Sequence, residues 1–346
     1  MQNRRDILKG AGAGLLLAGS GTAWAQAPVA RFADVDPEMV DDLRLLQEMV
    51  VSADNLTAFR HRPVARRAHP VPPPPPVASV KLPVVMVPGL PGQPAVRTVQ
   101  FDGAPGRKGR GAVIWIHGGG YVAGAAGIPT DLRLAAQRQG WLVVSVDYRL
   151  APEATYAGSL ADNYAALRWV HDNAATLGVD RSRIAVGGAS AGGGHAAMLA
   201  LAARDRGEVK LAYQVLIYPM LDDRTGSSRP GKPGTGRYVW TAEANRFGWS
   251  SLLGVPAGSA QVPAGIVPGR RRDLAGLAPA FVGVGTLDLF LDEDLAYAGG
   301  LRAAGVPVDL IVVPAAFHAF DGAAPIARAS LDFTRRWIAY LEKALT

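Results

Sequence analysis

The string Gly188-Ala189-Ser190-Ala191-Gly192 constrains this chain more than any other, because of what stands on either side of it. Before it runs Ile184-Ala185-Val186-Gly187, a short stretch of the kind found in a buried parallel strand. After it comes an alanine-rich stretch that reads as a helix. A G-x-S-x-G string between a strand and a helix is a nucleophile elbow, a sharp turn that lifts a serine hydroxyl clear of the sheet edge. The flanking glycines permit that turn, since a Cβ there would collide with the strand or the helix.

The rest of the chain supplies the sheet such a turn requires. Apolar runs recur at Val96–Phe101, Ala112–His117, Leu142–Asp147, Ile184–Gly188, Leu211–Tyr218, Ala280–Gly285 and Val308–Val313. Helical stretches separate most of them, at Leu132–Gln139, Leu160–Leu177, Ala191–Arg206, Asp292–Ala304 and Ile326–Ala344. This alternation predicts an α/β fold, a mostly parallel central sheet with helices on both faces. Asp223 to Asp273 interrupts it with glycine, proline and arginine and one aromatic stretch, Tyr238 to Trp249. An insertion there lies over the carboxyl ends of the strands, where open α/β sheets bind ligands. Ahead of the alternation, Asp34 to about Phe59 predicts a helix docked from outside, with Asp36 as N-cap before Pro37. An extended proline-rich connector, Pro70 to Pro76, follows.

A serine hydroxyl needs a base to attack an acyl carbon, and the base needs an acid to orient it and stabilise its cation. Elbow enzymes place these after the nucleophile in the order acid, then histidine, each in a loop after a later strand. Asp288 follows the run Ala280–Gly285, and His318 follows Val308–Val313 within Ala316-Phe317-His318-Ala319-Phe320. Asp292-Glu293-Asp294 reads as an acidic helix start, where carboxylates suit the N-terminal dipole, so Asp288, nearer the strand end, is preferred. Asp321 is too close in sequence to His318 to be its partner. His195, one turn into the elbow helix, reads as a packing residue; His61, His69 and His171 receive no role. His117-Gly118-Gly119-Gly120, directly after an apolar run, supplies backbone N–H groups that can face a developing oxyanion.

Composition narrows the alternatives. The chain of 346 residues carries no cysteine, which excludes disulfides, thiolate metal sites and cysteine nucleophiles. No two of its six histidines lie within four residues of each other, so the helical histidine metal pattern is absent. Neither a metal nor an organic cofactor is expected. The net charge of +7 is scattered, its nearest approach to a run being Arg270-Arg271-Arg272, and no basic helix interleaves aromatics. Nucleic acid is therefore not an expected partner.

Together these strings resemble the hormone-sensitive lipase family of α/β-hydrolases, the esterases with the HGGG motif. The resemblance rests on His117–Gly120 with Gly124, on Asp147-Tyr148-Arg149-Leu150-Ala151-Pro152-Glu153, on the elbow, on Asp288-x-x-x-Asp292-Glu293 and on the histidine loop. It covers Asp34 to the carboxyl end. It implies the α/β-hydrolase fold over residues 81–346, with a cap from an N-terminal helix within 26–80 and an insertion after strand 6 at about 223–273. It implies Ser190 as nucleophile, His318 as base and Asp288 as orienting acid, with the N–H groups of Gly118, Gly119 and Ala191 as oxyanion hole. His117 would hold the glycine loop in place, and Tyr148, Arg149 and Glu153 would be buried polar anchors beneath the site. The chain departs from the pattern at Ala189, often aspartate, and at Ala319, often glycine.

The activity implied is a serine carboxylesterase on a small-molecule ester with an acyl chain of about eight carbons or fewer. An amidase or acyltransferase with the same triad, and a non-catalytic receptor on the same fold, are the alternatives; receptors of this lineage tend to lose the histidine, which is present here. A homodimer stays open. At the amino terminus, Asn3-Arg4-Arg5-Asp6-Ile7-Leu8-Lys9 resembles the twin-arginine export motif. A glycine-rich, weakly apolar stretch and Ala23-Trp24-Ala25 follow, in the order of a cleavable signal over residues 1–25. The stretch is too short to span a bilayer. Cleavage would remove three basic residues and one acidic, leaving +5 and a periplasmic or secreted protein with no stable membrane insertion.

Overall fold

The computed structural model describes residues 32–46, 51–61, 68–69, 76 and 80–346. The expected export signal and most of the proline-rich connector lie outside the described residues. Among those described, eight strands form one sheet: β1 Val84–Val87, β2 Val96–Asp102, β3 Arg110–Ile116, β4 Leu142–Val146, β5 Val179–Ala189, β6 Tyr213–Ile217, β7 Ala280–Gly285 and β8 Val308–Val313. Their order is β1-β2-β4-β3-β5-β6-β7-β8. β1 and β2 run antiparallel to their neighbours, and every pairing from β4 through β3 to β8 is parallel. Every residue of β3, β4, β6 and β7 is buried, as befits central strands covered on both faces.

β1 is the strand that the apolar runs did not reveal. Val84-Val85-Met86-Val87 is short, bracketed by Pro83 and Pro88, and lies at the sheet edge with Val84 and Met86 exposed. Prolines at both ends mask a strand in a sequence reading, yet an edge tolerates them because few ladder donors are needed there.

Helices cover both faces. In chain order they are α1 Val40–Leu45, α2 Leu56–Arg60, α3 Thr130–Gln139, α4 Tyr156–Asp172, α5 Ala174–Leu177, α6 Ala191–Arg206, α7 Ala242–Leu253, α8 Leu291–Ala303, α9 Phe320–Ala323 and α10 Arg328–Leu345. α6 is buried along most of its length, and its glycines are forced by proximity: a Cβ on Gly193 would meet Pro219, and one on Gly194 the Met220 carbonyl.

The single N-terminal helix expected to reach Phe59 is not what forms. A 3₁₀ turn, Pro37–Met39, leads into α1, which ends at an extended Leu46, and α2 is a separate helix. The cap at Asp36 does form, its Oδ1 accepting the Glu38 N–H at 2.9 Å. Just before α2, in Ser52-Ala53-Asp54-Asn55, the Asn55 side chain accepts the Ser52 N–H at 2.8 Å, offering the backbone a turn in place of continued helix.

The insertion after β6 closes on itself. Buried Asp223, at its start, accepts from Arg270, near its end, at 2.6 and 2.7 Å. Between them α7 is capped by Thr241, whose hydroxyl accepts the Ala244 N–H. Trp240, Trp249, Leu252 and Leu253 join Tyr121, Met220 and Phe290 in one buried cluster, which Val51 and Leu56 of the N-terminal arm also enter.

Candidate active site

Ser190 sits where β5 ends and α6 begins, with φ 58° and ψ −125°, a region non-glycine residues avoid. The surroundings hold it there from both sides. Its N–H donates to the Ile217 carbonyl at 2.9 Å, and its own carbonyl accepts from Gly194 and Met220, each at 3.0 Å. A Cβ on Gly188 or Gly192 would fall on the Ile116 carbonyl oxygen, so β3 can lie this close to the turn only if both are glycine.

Ser190, His318 and Asp288 come together although they are far apart in the chain. His318 Nε2 stands 2.9 Å from Ser190 Oγ, and His318 Nδ1 stands 2.8 Å from Asp288 Oδ2. With the Nδ1–H donating to the carboxylate, Nε2 is left to accept the serine proton. The other Asp288 oxygen accepts the Phe290 N–H at 3.0 Å, so the carboxylate is fixed at both ends. The two loops are tied to each other: Leu287 N–H donates to the Ala316 carbonyl at 2.9 Å, and Ala315 N–H to Thr286 Oγ1 at 2.8 Å. Three aromatic rings enclose the imidazole, Tyr218 at 5.0 Å, Phe290 at 5.1 Å and Trp240 at 6.4 Å between centroids.

Gly118 approaches the serine most closely of the glycine run, since a Cβ on it would lie 3.3 Å from the Ser190 Cβ. Gly119 and Gly120 have φ of 121° and 61°, and a Cβ on Gly120 would fall inside the Trp240 ring. Among the described residues, neither the Gly118 nor the Gly119 N–H donates a backbone hydrogen bond. Ala191 opens α6, and the first N–H groups of a helix have no partner within it. The N–H groups expected to face an oxyanion are thus not engaged in backbone hydrogen bonds among the described residues.

A layer of rings supports this loop. His117 stacks on Tyr148 at 4.3 Å and its Nδ1 lies 2.8 Å from the Gly118 carbonyl, while the Tyr148 hydroxyl donates to the His117 carbonyl at 3.1 Å. His195 meets Tyr121 and Tyr148 edge to face at 4.8 and 4.6 Å. Burial pushes its pKa down to about 3, which keeps it neutral and confines it to packing. The Tyr121 hydroxyl donates to the Met220 carbonyl at 2.7 Å, linking the glycine loop to the segment that braces Ser190. Among the described residues, no cluster of histidine and carboxylate side chains is arranged to hold a metal.

Residues 113–322 match the family described as the alpha/beta hydrolase fold. The chain belongs to the hormone-sensitive lipase-like group of α/β-hydrolases. It is similar to carboxylesterase NlhH of Mycobacterium tuberculosis, 34% identical over 330 residues, which covers 90% of this chain and 97% of that protein. Among solved structures it resembles a bacterial heroin esterase, at 32% identity and a TM-score of 0.78, covering 91% of this chain and 99% of that one. Esterase LipW from Mycobacterium marinum is similar at 30% identity and a TM-score of 0.74, covering 90% and 96% respectively.

Within this α/β-hydrolase several side chains differ from their sequence reading. Glu153 is not a buried anchor: it is exposed and pairs with Arg60 at 2.7 Å through both oxygens. Arg60 spends its other donors on the Val122 and Ala151 carbonyls, at 2.7 and 2.9 Å, so the N-terminal arm grips the chain just past the glycine run. No local signal marks Arg60, because its partner lies 93 residues away. Arg149 is only half-buried and is paired with Asp162. Asp292 is exposed, as an acidic helix start should be, but Glu293 and Asp294 are buried, and burial raises both carboxyls well above the usual range. Asp321 accepts the Tyr218 hydroxyl at 2.7 Å, which orients the ring against His318. The enclosing rings Tyr218, Trp240 and Phe290 had no assigned role; only the aromatic run around Trp240 hinted at one.

Proposed function

We propose that this chain is a serine carboxylesterase acting on short- to medium-chain acyl esters. It is a carboxylic-ester hydrolase, and one observation carries the mechanism: Ser190 Oγ, His318 and Asp288 form a continuous hydrogen-bonded chain at 2.9 and 2.8 Å. Ser190 attacks the acyl carbon as its proton passes to His318 Nε2, and the Asp288 carboxylate stabilises the resulting imidazolium. The tetrahedral oxyanion faces the N–H groups of Gly118, Gly119 and Ala191, each such donor being worth about 3 kcal/mol in the transition state. His318 then protonates the departing alcohol, and water activated by the same histidine releases the acid from Ser190.

The short-acyl part of the reading has separate support. Trp240, Phe290 and Tyr218 crowd the imidazole, with ring centroids 6.4, 5.1 and 5.0 Å from it, which favours a short acyl group. A protein from Pseudomonas putida named ethyl acetate hydrolase is 34% identical over 213 residues, 60% of this chain and 65% of its own length. Turnover of a p-nitrophenyl ester series decides the matter: butyrate is expected to exceed palmitate, and Ser190→Ala, His318→Ala and Asp288→Asn to cut the rate sharply. Because the three act as a unit, Ser190→Ala/His318→Ala should be little worse than either single variant. Full activity in Asp288→Asn with a dead Asp292→Asn would transfer the acid's role to Asp292.

Export completes the proposal, resting on Arg4-Arg5 and Ala23-Trp24-Ala25. Among the described residues no helix is long and apolar enough to cross a membrane. Amino-terminal sequencing of periplasmic protein should begin at Gln26, whereas an intact Met1 on protein confined to the cytosol would contradict processing.

A further inference from the structure

Away from the catalytic centre, the insertion and α8 enclose a cavity of about 490 Å³. Ser190, His318 and Asp288 are not among its walls; it approaches the triad only through Leu289, the residue after Asp288. Its volume falls in the range of sites that hold small organic ligands. Much of the wall is apolar, formed by Leu274, Leu289, Ala296, Ala303 and the Tyr297 side chain.

The rim is cationic, with Arg224, Arg229, Lys232, Arg271 and Arg272. Three of these charges are committed. Arg224 and Arg229 both hold the buried Asp222 carboxylate, at 2.6 and 3.3 Å, and Arg271 bridges Asp205 and Asp273 at 3.0 and 2.7 Å. The side chains of Lys232 and Arg272 are exposed and make no hydrogen bond or ion pair among the described residues. The opposing carboxylates are fewer. Asp222 is engaged by its two arginines, Glu293 by the N–H groups of Leu221 and Asp222, with burial raising its carboxyl well above the usual range, and Asp292 alone of the three makes no ion pair or hydrogen bond through its side chain among the described residues. Two free cations at the mouth of an apolar chamber favour an anionic head with a short hydrocarbon tail, since a bare inorganic anion would leave the apolar wall unused.

We propose that this cavity is a second binding site, taking a short- to medium-chain carboxylate with its head at Lys232 and Arg272 and its tail against Leu274, Leu289 and Ala296. The proposal goes beyond the esterase reading and does not need it. The probe is octanoate, titrated calorimetrically into the full chain after an organophosphate has blocked Ser190. Saturable binding is expected. It should weaken about tenfold or more in Lys232→Glu/Arg272→Glu, while octanol and inorganic phosphate bind far more weakly than octanoate. Both substituted side chains are exposed, so the double variant should fold and hydrolyse esters as the parent does. Octanoate binding unchanged in that variant would overturn the proposal, as would octanol or phosphate binding as tightly as octanoate, or no saturable binding at all. Failure of the organophosphate to react would count against the esterase reading alone, because the comparison of parent with double variant decides the cavity without it.

Discussion

The N-terminal arm and the insertion after β6 pack against the same buried cluster around Tyr121 and Met220, yet different forces hold them there. The insertion is anchored by large apolar side chains, with Trp240 and Trp249 almost wholly buried, and by the Asp223–Arg270 pair at its base. The arm buries less, chiefly Met39, Leu43, Val51 and Leu56, and relies on long-range polar links. Arg60 reaches Glu153 and two carbonyls, Glu38 reaches Arg328, and Asp34 reaches Arg237 and Tyr238. Apolar burial is insensitive to salt, whereas exposed ion pairs contribute up to about 1 kcal/mol each and are screened. A cap built on these two principles has one firm side and one that conditions can loosen.

The largest effect should come from the firm side. Trp240→Ala removes a buried ring and should cost about 3–5 kcal/mol of stability, read by denaturant unfolding. Because that ring stands over Gly120 and 6.4 Å from His318, the surviving enzyme should also accept longer acyl chains. A loss below about 1 kcal/mol, against that expectation, would mean the insertion is not held by this tryptophan.

Arg60→Ala should cost less, about 1–2 kcal/mol, since the Glu153 end is exposed and only the carbonyl contacts are well protected. Its signature should be kinetic. Val122 follows the glycine run, so kcat should fall several-fold while KM moves little, and Arg60→Lys should restore only part of the rate. An unchanged kcat would reduce the arm to a passive cover.

The two sides should also answer oppositely to pH. Arg60 holds the Glu153 carboxyl down to about 2, from the usual 4.5 of a glutamate. Its contribution is therefore present above about pH 4.5 and is lost as pH falls toward 2, a small effect for so exposed a group. Glu293, beneath the insertion, accepts the N–H groups of Leu221 and Asp222 at 2.7 and 3.2 Å, but burial raises its carboxyl well above the usual range. Its contribution is present at low pH and fades as pH rises through that elevated value. Hydrogen exchange, corrected for intrinsic rates, should show α2 loosening on acidification and the first turn of α8 on alkalinisation; movement in the same direction at both would break the contrast.

The smallest change belongs to neither side. Ala319, beside His318, has φ 61° and ψ 29°, which costs an alanine about 1 kcal/mol or more relative to glycine. Ala319→Gly should raise stability by less than about 1 kcal/mol, part of the relief being offset by the freer unfolded chain.

The contrast between the two regions also marks what a sequence can disclose. The β-branched runs, the glycine punctuation and the order serine, aspartate, histidine are local patterns, so the central sheet and the three residues that meet at 2.9 and 2.8 Å were legible. β1 was hidden by Pro83 and Pro88. The helix expected through Phe59 failed at Ser52–Asn55, where a side chain competes for the backbone. Arg60, Tyr218 and Phe290 went unassigned because their roles arise from contacts that no spacing rule records. Glu153 was misread as buried because a familiar string reveals a residue's neighbours in sequence and not its exposure.

The central claim is that Ser190, activated by His318, carries the acyl group. Treating the full chain with a serine-directed organophosphate and mapping the adduct by peptide mass spectrometry tests it directly. One adduct per chain on Ser190, formed in step with the loss of p-nitrophenyl butyrate turnover and absent in His318→Ala, is the result expected. Full loss of turnover with the adduct on another residue, or undiminished turnover in Ser190→Ala, would contradict it.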